Sequence, residues 1–279
     1  MSIRIEPIKP NIGAIVRVDR SRLFDSDVAR DCLEALEARG VLVFPRLSLN
    51  DEEQLAFTDS LGERAKLPEI VPGTKATPGV YKVTLDPKIN DQPEYVYGTF
   101  FWHMDGMPVD KIPPPRASLL SARRLSAKGG QTEFASTTAA YAHLSPSEKA
   151  DVDGLRVVHS IYHAVQPTLD TEEEHIKSRR SSVERERPLV WTQASGRKSL
   201  IIGHTADRVV GMSVPEGRAL LARLMEWAAQ PDFKYRHEWQ EGDLVIWNNS
   251  GVLHRVIPYD RNSGRVMHRT SLAGIETIT

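Results

Sequence analysis

The sequence predicts a mainly β fold of the sandwich or jelly-roll type, with a few flanking helices. Four strand candidates follow one another near the end of the chain, at 235–239, 243–247, 251–256 and 265–273. Many short strands with few helices are typical of packed antiparallel sheets and not of a doubly wound parallel sheet. The 279 residues are expected to form one domain, because single all-β domains of this length are common.

The earlier part of the chain adds shorter strands and most of the helices. Helices are predicted where apolar residues recur every three to four positions between capping and stop signals. These segments are 25–39, a stretch that begins near Asp51 and ends at Gly62, 137–150 and 214–229. Short apolar or alternating runs predict strands at 12–18, 41–45, 81–85, 117–125, 152–161 and 200–203.

Two segments have the composition of lid-like insertions. Residues 64–100 carry many Pro, Gly, Asp and Lys residues, and residues 163–187 are dense in charge. Long connections in compact domains are usually functional lids or disordered segments. We expect both segments to be less ordered than the strands and to tighten when substrate binds. The alternative for the charged segment is a solvated surface insertion.

Composition excludes several classes of function. Lys and Arg total 36 and Asp and Glu total 37, and this net charge of −1 argues against nucleic acid or a membrane surface as the partner. The one cysteine, Cys32, excludes an intrachain disulfide and any multi-cysteine metal site. No apolar run approaches the ~20 residues of a spanning helix. We therefore expect a cytoplasmic protein.

Two histidines and one acid form a candidate metal site among nine histidines. His103 and Asp105 are two positions apart, so in an extended segment their side chains share a face and their Cα atoms lie ~6.6 Å apart. His254 ends a predicted strand far along the chain. Two histidines and one carboxylate occupy three positions of an octahedral iron and leave three for other ligands, as an oxygen-activating iron requires.

The last predicted strand carries two candidate anion-binding arginines. The period of two puts Arg265, Met267 and Arg269 on one face, with the two arginines ~13 Å apart. A buried arginine needs an acidic partner or an anionic ligand, and its planar fork suits carboxylates. The alternative is that one or both arginines reach solvent or a loop acid such as Asp260.

Four motifs occur in register and together resemble one enzyme family. They are Trp-His-Met-Asp at 102–105, Gly-Gly-Gln-Thr-Glu-Phe at 129–134, the segment 243–254 and Arg-Val-Met-His-Arg at 265–269. The sequence resembles the taurine / 2,4-dichlorophenoxyacetate dioxygenase (TauD/TfdA) family, whose members depend on Fe(II) and 2-oxoglutarate. The resemblance runs from about residue 10 to 275.

The resemblance implies a fold and a metal centre. The fold is a double-stranded β-helix, a jelly-roll or cupin-like barrel with helices packed outside. The implied iron ligands are His103, Asp105 and His254. The family usually forms homo-oligomers, so a dimer or tetramer is expected.

The resemblance also implies how the cosubstrate and the substrate are bound. Thr132 and Arg265 correspond to the residues that hold the distal carboxylate of 2-oxoglutarate. Arg269 corresponds to an arginine that grips the anionic group of the prime substrate. O2 is the third reactant, and the products are succinate, CO2 and a hydroxylated substrate.

The substrate itself is left open by departures from the taurine enzymes. Leu67 stands near the position of a histidine in those enzymes, and Trp-Asn-Asn-Ser at 247–250 replaces the usual Trp-Asp-Asn-Arg. Five apolar or aromatic side chains suggest a larger, more apolar or aromatic substrate. The alternative is that they belong to the hydrophobic core. The set is Tyr95, Tyr97, Phe100, Phe101 and Met107.

The main hypothesis is a dioxygenase that hydroxylates a small, anionic organic substrate, namely a sulfonate, sulfate ester, aryloxy acid or carboxylate. A zinc hydrolase with the same three ligands and a metal-free small-molecule binding protein are the alternatives. A zinc hydrolase does not explain Thr132 together with Arg265, and a metal-free binding protein does not need His103, Asp105 and His254. A halogenase would need a small residue in place of Asp105, and a serine hydrolase would need a Gly-x-Ser-x-Gly elbow that the sequence lacks.

Overall fold

The computed structural model describes residues 3–66, 79–90, 93–108, 113–165 and 183–279. Leu67, part of the predicted lid at 64–100 and most of the one at 163–187 lie outside these residues. The lid prediction therefore stays a prediction.

The first part of the chain alternates short strands with two long helices. Its elements are β1 (Arg4–Pro7), β2 (Ala14–Arg17), a 3-10 turn (Arg20–Arg22), α1 (Ser26–Arg39), β3 (Val41–Phe44), α2 (Asp51–Leu61), β4 (Tyr81–Val83) and α3 (Pro93–Gly98).

The remainder is richer in strands. Its elements are β5 (Ala117–Arg124), β6 (Thr132–Ser136), α4 (Thr137–Ala142), α5 (Pro146–Val152), β7 (Arg156–Ser160), α6 (Ile161–Val165), β8 (Glu184–Pro188), β9 (Val190–Thr192), β10 (Lys198–Leu200), β11 (Ala206–Val209), α7 (Val214–Ala228), β12 (Lys234–His237), β13 (Leu244–Asn248), β14 (Val252–Val256) and β15 (Val266–Leu272).

Two sheets share an apolar layer. The major sheet has the order β1-β2-β3-β13-β5-β15-β4 and is antiparallel except for the β2–β3 pair, and the minor sheet has the order β12-β6-β14. The rings of Phe134 on β6 and Trp247 on β13 lie 5.6 Å apart in the shared layer. The described strands form open sheets and no closed barrel. The predicted mainly β fold with flanking helices is confirmed.

The side chains of β3 show how the two apolar layers are divided. Leu42 and Phe44 belong to the cluster under α1 and α2, where Phe44 meets Phe57 edge to face at 5.5 Å. Val41 and Val43 belong to the layer shared with the minor sheet. A strand that is buried on both faces requires a continuous apolar run, which explains the sequence Val-Leu-Val-Phe.

The segment 137–150, predicted to be helical, forms two helices with a break at 143–145. Ser145 caps α5 through a capping box with Glu148, and Pro146 occupies the first helical turn. Both features start a new helix rather than continue an old one.

The predicted strands also need correction at several places. β10 ends at Leu200, where the prediction began a strand, and β1, β6, β8, β9 and β11 were not predicted. β6 is the central strand of the minor sheet and opens with Thr132. Its mixed polar and apolar residues give no clear strand pattern in the sequence. It is a strand because it pairs with a neighbour on both edges.

Within the described part of the chain, none of the helices has the length and apolar character of a transmembrane helix.

The packing of α2 on the major sheet yields a stability prediction. Phe57 is fully buried, so Phe57→Ala should lower the free energy of unfolding by about 3–5 kcal/mol through lost contacts and a cavity. Phe24 is 43% exposed, and Phe24→Ala should change it by less than about 0.5 kcal/mol. Urea unfolding of both variants checks this, and equal losses would show that α2 does not anchor the sheet.

Candidate active site

A backbone bridge joins two segments that are far apart in sequence. The N–H of His103 donates to the carbonyl of His254 at 3.0 Å, and the N–H of His254 donates back at 2.9 Å. His254 lies on β14, an outer strand of the minor sheet, so the bridge adds the 103 segment beside that strand. The two imidazoles consequently meet, with ring centroids 4.0 Å apart.

Asp105 completes a group of three potential ligands. One ligand atom from each of His103, Asp105 and His254 lies within 4.8 Å of the other two, and Nε2 of His254 is 3.9 Å from Oδ1 of Asp105. Nδ1 of His103 is 2.9 Å from the carbonyl of Phe101. A carbonyl only accepts, so Nδ1 carries the hydrogen and Nε2 keeps a lone pair for a metal. Two imidazoles and a carboxylate suit Fe(II).

The Asp105 carboxylate is held by one residue on β5 and one on β15, and a third residue supports the first. The hydroxyl of Ser118, on β5, donates to Oδ2 at 2.7 Å, and the side-chain amide of Asn249 donates to that hydroxyl at 3.1 Å. Arg269, on β15, places Nη1 at 3.4 Å from both carboxylate oxygens. These contacts orient the carboxylate toward the histidines, as partners of metal ligands commonly do.

Burial and charge set the protonation of the three groups. Burial lowers the pKa of His103 and of His254, and the neighbouring His103 lowers the pKa of His254 further. Burial acts to raise the pKa of Asp105, but Arg269, followed by the two histidines, outweighs it and holds that pKa well below its usual range. At neutral pH the site presents two neutral imidazoles and one carboxylate, the forms that bind a metal.

Thr132 lies on the same side of the minor sheet as His254. On the β6–β14 ladder Thr132 pairs with Val256, and Phe134 pairs with His254. Directly paired residues, and residues two apart on one strand, project to the same face. The Thr132 hydroxyl accepts a hydrogen bond from Nε1 of Trp239 at 2.9 Å.

Arg265 lies just before β15 and is 3% exposed. Its Nη2 donates to the carbonyl of Gly130 at 3.0 Å, and Gly130 is two residues from Thr132. Its guanidinium carbon lies 4.8 Å from the ring centre of Tyr259. Its Nε has no hydrogen-bond partner within the described residues. The alternative that this arginine reaches Asp260 is not what the structure shows.

Arg269 is largely buried and lies against the predicted metal ligands. Its carboxylate contact is with Asp105 and not with a loop acid. Its guanidinium carbon is 5.4 Å from the ring centre of Tyr81 on β4, and its Nε has no partner in the part of the chain that the structure describes. The ladder is shifted between Val266 and Met267, where β5 has one extra residue, Arg123, opposite β15.

The structure adds neighbours that the sequence reasoning did not single out. His204 stands edge-on to His103 with ring centroids 5.6 Å apart and stacks on Phe101 at 6.0 Å. Burial, followed by His103, lowers the pKa of His204 to about 3. Ser118 and Tyr81 sit in ordinary strand patterns without a local signal, and His204 is an isolated histidine. Asn249 lies inside the quoted motif at 243–254, which was the available clue.

Residues 4–271 match the family described as "Taurine catabolism dioxygenase TauD, TfdA family". The chain belongs to this family of dioxygenases. The resemblance found in the sequence is confirmed, and so is the assignment as an oxidoreductase that acts on a small molecule.

Individual members of the TauD/TfdA family resemble this chain along nearly its whole length. It is 34% identical to the alpha-ketoglutarate-dependent 2,4-dichlorophenoxyacetate dioxygenase of Burkholderia sp. (strain RASC), over 98% of this chain and 95% of that one. It is 31% identical to the (S)-phenoxypropionate/alpha-ketoglutarate-dioxygenase of Sphingobium herbicidovorans, over 97% and 94%. The crystal structure of AAD-2 in complex with Mn(II) and N-oxalylglycine superposes with a TM-score of 0.82 at 31% identity and covers all of both chains. The predicted jelly-roll fold class is thereby confirmed.

The hydrogen bond from Ser118 to Asp105 yields a prediction. Ser118→Ala should weaken Mn(II) binding by about 10- to 100-fold, because the carboxylate loses a donor that fixes its direction. Ser121 lies on the same strand and is also buried, but its hydroxyl donates to Gln54. Ser121→Ala should leave Mn(II) affinity unchanged. Titration calorimetry measures both, and equal effects would show that the hydroxyl contributes only to packing.

Proposed function

We propose that this chain is an Fe(II)- and 2-oxoglutarate-dependent dioxygenase that hydroxylates a small, anionic organic substrate and releases succinate and CO2. The proposal rests on one observation: one ligand atom from each of His103, Asp105 and His254 lies within 4.8 Å of the other two. In the proposal these three side chains hold the iron on one side and leave its other coordination positions to small molecules. When bound, the iron activates O2 and couples decarboxylation of 2-oxoglutarate to substrate hydroxylation.

The surroundings of Arg265 favour a 2-oxoglutarate-dependent enzyme over a zinc hydrolase. An anion would stabilise this buried guanidinium, whose Nε has no hydrogen-bond partner within the described residues and which donates to the neutral carbonyl of Gly130. In the proposal Arg265 and the Thr132 hydroxyl bind the distal carboxylate of 2-oxoglutarate, a charge-assisted pairing. N-oxalylglycine, present in the similar AAD-2 structure, carries the same oxalyl group and distal carboxylate.

Arg269 is the proposed binding residue for the anionic group of the prime substrate. Its guanidinium lies beside Asp105, so a substrate anion on Arg269 would bring neighbouring carbon atoms close to the metal. The names of the similar enzymes make an aryloxy acid the first substrate class to test. Phe101, stacked on His204 and 39% exposed, is placed to contact an aromatic ring. Met107 is fully buried in the core and is not available for this role.

The remaining parts of the proposal concern organisation. The chain acts as one domain over 1–279, with residues 64–100 and 163–187 as lids, and it works in the cytoplasm as a homo-oligomer, a dimer or tetramer. These statements rest on composition and on the family resemblance. Sedimentation equilibrium tests the oligomer, and hydrogen exchange with and without substrate tests the lids.

The reaction itself is tested by succinate release. Protein supplied with Fe(II), 2-oxoglutarate and O2 should release succinate faster when an aryloxy acid, sulfonate or sulfate ester of the right shape is added. Zn(II) should not replace Fe(II), and Asp105→Ala should abolish turnover because the metal loses its charged ligand. A hydrolytic activity that Zn(II) supports without 2-oxoglutarate would contradict the proposal.

Replacing Arg265 and replacing Arg269 should change different kinetic constants. Arg265→Ala should mainly raise KM for 2-oxoglutarate, at a cost on the order of 2–5 kcal/mol in binding free energy, because a buried carboxylate loses its charged partner. With saturating Fe(II), Arg269→Ala should instead raise KM for the prime substrate and leave substrate-free decarboxylation of 2-oxoglutarate largely intact. Parallel assays of succinate and O2 uptake measure both. An unchanged kcat/KM for the prime substrate in Arg269→Ala would make that arginine structural.

A further inference from the structure

The hydroxyl of Thr132 is oriented by a side chain outside the proposed ligand-binding set. Nε1 of Trp239 donates to Oγ1 of Thr132 at 2.9 Å, and this is the hydroxyl's one hydrogen bond within the described residues. An indole N–H can only donate, whereas a hydroxyl has one hydrogen and two lone pairs. With one lone pair engaged by Trp239, the hydroxyl keeps its hydrogen for another acceptor.

Trp239 itself is held by a fixed histidine. On the β6–β12 ladder Thr132 pairs with His237, and Trp239 follows two residues after His237. The Tyr235 hydroxyl lies 2.9 Å from Nδ1 of His237, and Oδ2 of Asp243 lies 3.0 Å from its Nε2. With both ring nitrogens engaged, the imidazole cannot rotate freely. It stands edge-on to the indole, with centroids 4.5 Å apart and an interplanar angle of 86°.

The Asp243 carboxylate connects this cluster to the backbone beside Trp239. It is buried and accepts the backbone N–H of Gln240 at 2.9 Å and that of Arg46 at 2.8 Å. Burial acts to raise its pKa, but the hydrogen bonds from His237 and from the two amides lower it below the usual value. Asp243 is therefore a carboxylate at neutral pH, and it fixes both the His237 ring and the residue after Trp239.

We propose that Trp239 is a positioning residue for 2-oxoglutarate, because its N–H sets the Thr132 hydroxyl to donate to the distal carboxylate that Arg265 also binds. The inference rests on the proposed function and extends it to a residue that does not touch the ligand. The competing view is that Trp239 only packs against the apolar layer between the sheets, which it also borders.

Binding of 2-oxoglutarate to the Mn(II)-loaded full chain tests this inference by calorimetry. Trp239→Phe should raise the Kd of 2-oxoglutarate about tenfold, because the hydroxyl loses its orienting donor. Trp227→Phe is the matched control, since Nε1 of Trp227 donates a bond of the same length, 2.9 Å, to the carbonyl of Ala140 on α4. Trp227→Phe should leave that Kd unchanged. With saturating 2-oxoglutarate, kcat of Trp239→Phe should stay within about twofold of wild type.

A double-mutant cycle separates positioning from packing. In a Thr132→Val background the hydroxyl is gone, so Trp239→Phe should cause no further loss of 2-oxoglutarate affinity. A 3-benzothienylalanine in place of Trp239 keeps the ring shape, removes the N–H and protects the test against misfolding of the Phe variant. This replacement should raise the Kd as much as Trp239→Phe does.

The outcomes distinguish the two levels of the proposal. If wild-type protein with Mn(II) does not bind 2-oxoglutarate, the proposed function fails and this inference fails with it. If wild type binds but Trp239→Phe or the benzothienyl variant has an unchanged Kd, only the positioning role is overturned. Equal losses with and without the Thr132 hydroxyl, or equal losses in the Trp227 control, would likewise overturn it.

Discussion

The largely buried carboxylate of Asp105 is the constraint on which the site depends. A carboxylate taken out of water is unstable unless cations and hydrogen-bond donors surround it. Here the compensation comes from Arg269 and from the hydroxyl of Ser118, which Asn249 in turn supports. Because these partners lie on different elements, the charge can be buried only when the parts of the major sheet are correctly assembled. The position of this proposed metal ligand therefore depends on the correct fold.

The register of the minor sheet then arranges the rest of the site around that carboxylate. β14 carries His254, and its ladder with β6 turns Thr132 to the same face. The backbone bridge of His103 to His254 adds the second imidazole at the edge of the same sheet. The proposed ligand His254 and the proposed cosubstrate-binding residue Thr132 thus lie on one face of the same sheet, and strand geometry fixes the spacing between them. A shift of one residue would turn every one of these side chains away.

Sequence reasoning reached the parts of this arrangement that have a local pattern. The spacing of His103 and Asp105, the amphipathic helices and the closely spaced last strands follow from periodicity, and the family resemblance added Thr132. Other features depend on contacts across the fold. β6 is a strand because it is paired on both edges, and the contact of Trp239 with Thr132 arises from register between β6 and β12. Such contacts leave no trace in a single sequence.

The central claim is that His103, Asp105 and His254 together bind one iron. A crystal structure of the anaerobic Fe(II)-loaded protein, with anomalous scattering recorded at the iron edge, tests it most directly. The account predicts a single strong anomalous peak within coordination distance of both imidazoles and the carboxylate. A peak elsewhere, or an iron coordinated without Asp105, would contradict it.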